Sequence, residues 1–153
     1  MQLRQFGTVA VIAVAVGTGN GFRVGISPLK SFQPQVVVWP RGITALNVME
    51  TRTIYREGSR VFLDARPRAR YGQARVDGAY SLPGDDFAAA FATLDPPLTD
   101  DVPVLIYGEG PTDESPARVA EEMLRLGWKD VAVFPAGWQG WTRGKPATAD
   151  TRR

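Results

Sequence analysis

The sequence contains no cysteine and no histidine. The first absence removes thiolate nucleophiles, disulfides and thiolate metal sites, and the second removes imidazole bases and histidine-ligated metals. An excess of charge is missing too. The 18 Lys and Arg stand against 16 Asp and Glu, interspersed, for a net charge of +2. Bulk electrostatics therefore do not point to nucleic acid. Nor is there a long hydrophobic run: the most apolar stretch, Val9–Val16, falls short of the about 20 residues of a spanning helix, and Gly17, Gly19, Asn20 and Gly21 dilute the segment beyond it.

What is present suits one domain of ordinary size. The 153 residues are 44% hydrophobic and 22% charged, enough to bury a core and too apolar for a disordered chain. Three readings of the N-terminal stretch compete. It is a short membrane anchor bounded by Arg4 and Arg23, a signal peptide cleaved near Ala13-Val14-Ala15, or a buried β-branched strand. The anchor leads, and Arg23 and Lys30 after it, against Arg4 before it, lean the domain towards the cytoplasmic side. The expected division is an apolar N-terminal segment and linker over 1–32, a globular domain over 33–141, and a loose polar tail over 142–153.

Within 33–141 the pattern is α/β. Strands are expected at 35–39, 60–65, 79–83, 102–107 and 130–134. Helices are expected at 43–58, capped by Thr44 and ended by Gly58, at 85–94, and at 116–128. The last of these has Ser115 as N-cap, Pro116 at its first position and Gly127 at its end. A final turn begins at 136–141, and the Arg-rich stretch 67–77 reads as an irregular connection. Alternation of this kind predicts a mostly parallel sheet with helices on both faces.

The chemistry concentrates in VLIYGEGPTDES, residues 104–115. An apolar strand ends at Tyr107, a loop holds Gly108 and Gly110, and a helix comes next, a shape whose free backbone N–H groups converge on an anion. Yet Glu109, Asp113 and Glu114 lie in that loop, and at ~5 Å each would cost a dianion several kcal/mol at an effective dielectric of about 20. Asp113 and Glu114 fit the macrodipole of the helix they precede better than a recognition role, and the two are compatible. A carboxylate on the cradle N–H groups would also substitute for an anionic ligand.

Elsewhere the bland explanation competes with a sharper one. Arg66, Arg68, Arg70 and Arg75 form a run without an acid, either a solvated connection or a docking surface; only Tyr71 interleaves, which disfavours nucleic acid. Asp85-Asp86 and Asp100-Asp101 fit helix starts and turns better than metal ligation. Trp138 and Trp141 are expected to pack, or to form an interface if Trp138 is exposed beside the loop.

VFLDAR (61–66), Tyr71 and VDGAYSLP (76–83), with VLIY (104–107) and LRLGWKDVAVFPAGWQGW (124–141) behind them, resemble a rhodanese-like domain over about residues 43–141. The resemblance implies a central five-stranded sheet with helices on both sides. It also implies that the loop after Tyr107 is the family's active-site loop, where sulfurtransferases place a cysteine that carries sulfur as a persulfide. The matching position here is Gly108, and no Arg occurs between Tyr107 and Ser115, so the related phosphatase loop is missing as well. Arg75 stands where the family often has a histidine. Membrane-anchored single-domain members also carry a short apolar N-terminus.

The expectation is therefore an inactive, rhodanese-like interaction, scaffolding or accessory subunit. It would be held at a membrane by its N-terminus, perform no sulfur transfer, use no cofactor or metal, and have protein partners, a membrane complex included, rather than nucleic acid. The degenerate loop is Gly108, Glu109, Gly110, Pro111, Thr112, Asp113, Glu114 and Ser115. Arg66 and Arg75 are its candidate partners, Arg75 closing the pocket against Glu109 or Asp113. The alternative is a binder of a small cationic or neutral ligand in the degenerate cleft. An enzyme using the carboxylates as acid and base ranks last.

Overall fold

β-branched and large apolar side chains crowd into 61–64, 104–107 and 131–134, and these runs are the three central strands. The computed structural model describes residues 37–143, with the backbone of 148–150 in addition. The expected anchor or leader thus lies outside the described residues. In chain order the elements are β1 (Thr44–Ala45), α1 (Val48–Glu57), β2 (Val61–Asp64), α2 (Arg68–Gln73), β3 (Ala74–Val76), β4 (Tyr80–Ser81), α3 (Phe87–Ala92), β5 (Val104–Tyr107), α4 (Ser115–Arg125), β6 (Val131–Phe134), α5 (Gly137–Thr142) and β7 (Thr148–Asp150).

Five strands form one parallel sheet in the order β1-β6-β5-β2-β4. Because successive side chains point to opposite faces, each central strand feeds two cores. Leu63, Val104, Ile106, Val131 and Val133 pack with Val119, Ala120 and Met123 of α4 and Ala90 of α3. Phe62, Leu105, Tyr107 and Phe134 pack on the other face with Trp141 of α5 and with Val48, Ile54 and Tyr55 of α1. The helices therefore cover both faces of an α/β sheet, as the alternation predicts. No helix among the described residues is long and apolar enough to cross a membrane.

Several boundaries differ from expectation. Val37–Trp39 form no strand, and Val38 is largely exposed. The outer strand is Thr44–Ala45 instead, paired with Ala132 and Val133. Helix α1 accordingly starts later, at a capping box: the Asn47 side chain accepts from the Met49 and Glu50 N–H groups, and Glu50 accepts from Asn47 N–H at 2.8 Å. Gly58 does end it, in the left-handed conformation at φ 62°. The Arg-rich connection is ordered into α2 and β3, and part of the polar tail returns as β7, antiparallel to β3.

Candidate functional site

Strands β2, β5 and β6 end in register at Asp64, Tyr107 and Phe134, so the loop after Tyr107 emerges at the carboxyl edge of the sheet. That edge is where open parallel sheets commonly place their ligands. The loop leads into α4, and Ser115 lies inside that helix rather than capping it; Glu114 occupies the cap position, but its side chain accepts no hydrogen bond from the helix N–H groups.

The side chain that serves the free N–H groups is Asp113. Its Oδ2 accepts from Glu109 N–H at 2.7 Å, and its Oδ1 accepts from Ser115 N–H at 2.9 Å. One carboxylate thereby satisfies both ends of the loop and sits at the positive pole of α4. It also fills the space a side chain at position 108 would need. A Cβ added to Gly108 would meet Asp113 Oδ2 and, at 2.7 Å, Pro116 Cγ. The loop is held from the other side by α5, where Trp138 N–H donates to Gly108 O at 2.8 Å and Gln139 N–H to Glu109 O at 3.0 Å. The cradle shape is present, and its guest is part of the chain.

Beneath the loop lies a second polar assembly, fully enclosed. Asp64 and Arg66 are two residues apart on an extended chain, hence on the same face. Arg66 grips Asp64 through Nε (3.0 Å to Oδ1) and Nη2 (2.7 Å to Oδ2), and Nη2 also donates to Ala74 O at 2.7 Å. The Tyr107 hydroxyl donates to Asp64 Oδ2 at 2.5 Å and accepts from Val76 N–H at 3.2 Å. Asp64 is 0% exposed and Arg66 2%, so this is an ion pair inside the core and not a surface bridge. Burial opposes the Arg66 charge, but the hydrogen bonds and charge of Asp64 outweigh it and hold the guanidinium above its usual range. The guanidinium carbon lies 4.7 Å from the centre of the Trp138 ring, within cation–π range, and Nη1 is 3.5 Å from Glu109 Oε2.

The residues singled out by sequence do not all converge on the loop. Arg66 reaches Glu109, and Arg75 lies over the Tyr71 ring at 4.6 Å. Glu114 faces outwards and pairs with Arg118 at 3.4 Å on the exposed side of α4. Trp138 is half-buried over Arg66. Trp141 is buried at 1% exposure against Tyr55 and Phe62, which removes it from any interface. Gly110 is buried, and a Cβ there would meet the Gln139 side chain at 2.8 Å. The sequence pattern does not single out Asp64 or Tyr107, although the same-face spacing of Asp64 and Arg66 is a usable signal. Among the described residues no group of three or more acids is arranged to hold a metal.

Burial, and then the Asp64 charge, push the Tyr107 hydroxyl far above its ordinary value of 10.0. The folded state therefore holds this proton more tightly than the unfolded chain. Its contribution to stability is complete below pH about 10 and is lost as pH rises further, with a slope of up to about 1.4 kcal/mol per pH unit. Alkaline unfolding followed by circular dichroism is expected to be shallower in Tyr107→Phe than in the wild type. An identical alkaline slope would show that Tyr107 ionisation does not limit stability there.

Comparison with known proteins agrees with this architecture. The rhodanese-like domain family matches residues 49–144. Among solved structures, the Alr3790 protein from Anabaena sp. is 19% identical, with a TM-score of 0.59 over 71% of this chain and 94% of its own. The BH2092 protein from Bacillus halodurans is 17% identical, with a TM-score of 0.62 over 71% and 77%. A rhodanese-like domain protein from Staphylococcus aureus is 16% identical, with a TM-score of 0.55 over 67% and 95%. At these identities the likeness concerns the fold. No protein of curated function matches the chain.

Proposed function

The chain belongs to the rhodanese-like family, and we propose that within it the protein is a non-catalytic interaction module, an accessory or scaffolding subunit attached to a membrane by its N-terminal segment. The observation that carries this reading is the Asp113 carboxylate, which holds the cradle N–H groups and the side-chain space at Gly108 together. A sulfurtransferase needs that space for a nucleophile and those donors for an anion. The whole sequence has no cysteine to supply the first. The competing idea of a cationic ligand in the cleft loses support from the same geometry. Asp113 is turned onto the backbone, Glu109 faces Arg66, and Glu114 pairs with Arg118.

Membrane attachment rests on the apolar run Val9–Val16 and its flanking arginines. The full-length protein is expected to partition into detergent and to bring a protein partner with it from native membranes, whereas a chain starting at Phe32 stays soluble without detergent. Neither is expected to form thiocyanate from thiosulfate and cyanide. Thiocyanate formation would overturn the non-catalytic reading, and equal solubility of both chains would overturn the membrane attachment alone.

A further inference from the structure

Away from the loop, a groove of about 190 Å³ opens where β2 begins, between the end of α1 and the β3–β4 turn. Three aromatic residues, Tyr55, Phe62 and Tyr80, line it, and Asp77 stands on its rim in the turn with Gly78. Gly58, which terminates α1, lines it too, so the C-terminal end of that helix borders the groove. Tyr55 and Phe62 are locked edge to face, with ring centres 5.6 Å apart, which keeps the aromatic wall rigid.

The charges in this groove are unequal. Among the described residues Arg60 is the one cation lining it, and that guanidinium is turned to Asp130 at 2.6 Å, with Val104 O at 3.3 Å as a further acceptor. Asp77 is exposed, and none of the hydrogen bonds or ion pairs among the described residues involves it. Its charge is felt inside, since burial and then Asp77 push the Tyr55 hydroxyl above its ordinary value. An aromatic wall, a helix C-terminus and an exposed carboxylate all favour a cation and disfavour an anion.

Size decides what kind of cation. Sites that engulf a whole small molecule are roughly 300–1,000 Å³; this groove is smaller and open, and suits one head group carried on a larger body. We propose that the Tyr55–Asp77 groove receives the guanidinium or ammonium group of an arginine or lysine side chain presented by a partner protein. The proposal rests on the reading of the protein as an interaction module and supplies a chemical requirement for its partner.

The test uses the full-length protein in detergent and N-acetyl-arginine amide as probe, with the neutral isostere N-acetyl-citrulline amide as control. Titration followed by amide and aromatic NMR shifts is expected to show saturation at Asp77, Gly78 and Tyr80. A single side chain should bind with Kd on the order of millimolar, and an arginine-bearing peptide at least as tightly. Asp77→Asn, at an exposed site, is expected to weaken the probe about tenfold, and Asp77→Lys to abolish its binding. Equal shifts from the citrulline compound, shifts that map elsewhere, or unchanged affinity in Asp77→Asn would overturn the proposal. So would choline binding more tightly than the peptide, which would identify a small-molecule site. None of these outcomes bears on the closed cradle, which the thiocyanate assay tests separately.

Discussion

Asp113→Ala is expected to turn a self-filled loop into an anion receptor. Removing the carboxylate deprives the Glu109 and Ser115 N–H groups of their acceptor. Hydrogen bonds to a charged group contribute about 1.5–3 kcal/mol, and the variant should lose a stability of that order. The vacated space lies between two convergent donors at the N-terminus of α4, an anion-binding arrangement. Glu109, drawn towards Arg66 at 3.5 Å, still opposes an incoming anion and lowers its affinity. Sulfate at 100 times its Kd would then return about 2.7 kcal/mol. Sulfate also stabilises folded proteins in general, so the measurement is the difference between variant and wild type in thermal unfolding, sulfate against chloride at equal ionic strength. The variant is expected to gain more than the wild type, and Asp113→Asn, which keeps an acceptor oxygen, to lie between them. Equal sulfate responses would mean that Asp113 occupies no anion site.

The second large effect concerns the enclosed ion pair. Asp64→Ala would leave Arg66 at 2% exposure without its carboxylate, and the Tyr107 hydroxyl without its acceptor. Breaking a buried pair on one side costs about 3–5 kcal/mol, which is a large part of the stability of an ordinary domain. Urea denaturation is the measure. The paired replacement Asp64→Leu with Arg66→Met is expected to cost far less than the two single changes added together, because no buried charge is left alone. A loss below about 1 kcal/mol for Asp64→Ala would match an exposed bridge and contradict the enclosed one.

How much of the fold and the site is legible in the sequence depends on whether a feature is periodic or conformational. The three central strands announce themselves because burial on both faces requires continuous apolar runs. Thr44–Ala45 carries no such signal: two exposed residues are too few for a pattern, and Ile43 and Leu46 continue the helical spacing beyond the true start. The Asn47 and Glu50 capping box is the local cue that separates them. Arg66 sits in a run of arginines that reads as solvated, and only the neighbouring Asp64 on the same face hints that this one is inside. For Asp113 the sequence supports two arrangements, outward towards the dipole or inward onto the loop. The choice is made by Gly108, whose missing side chain leaves the room.

That interlock also constrains the order in which the loop can change. A cysteine at 108 collides with Asp113 and Pro116, while loss of Asp113 beforehand strands two amide donors. Any side chain at Gly137 would strike Gly108 O at 2.6 Å and Gly110 N at 2.8 Å, so α5 cannot be loosened cheaply either. Each single step towards a nucleophile lowers stability before it brings any chemistry. The loop behaves as a ratchet: placing a cysteine at 108 requires at least two coordinated replacements, and the intermediate chains are the less stable ones.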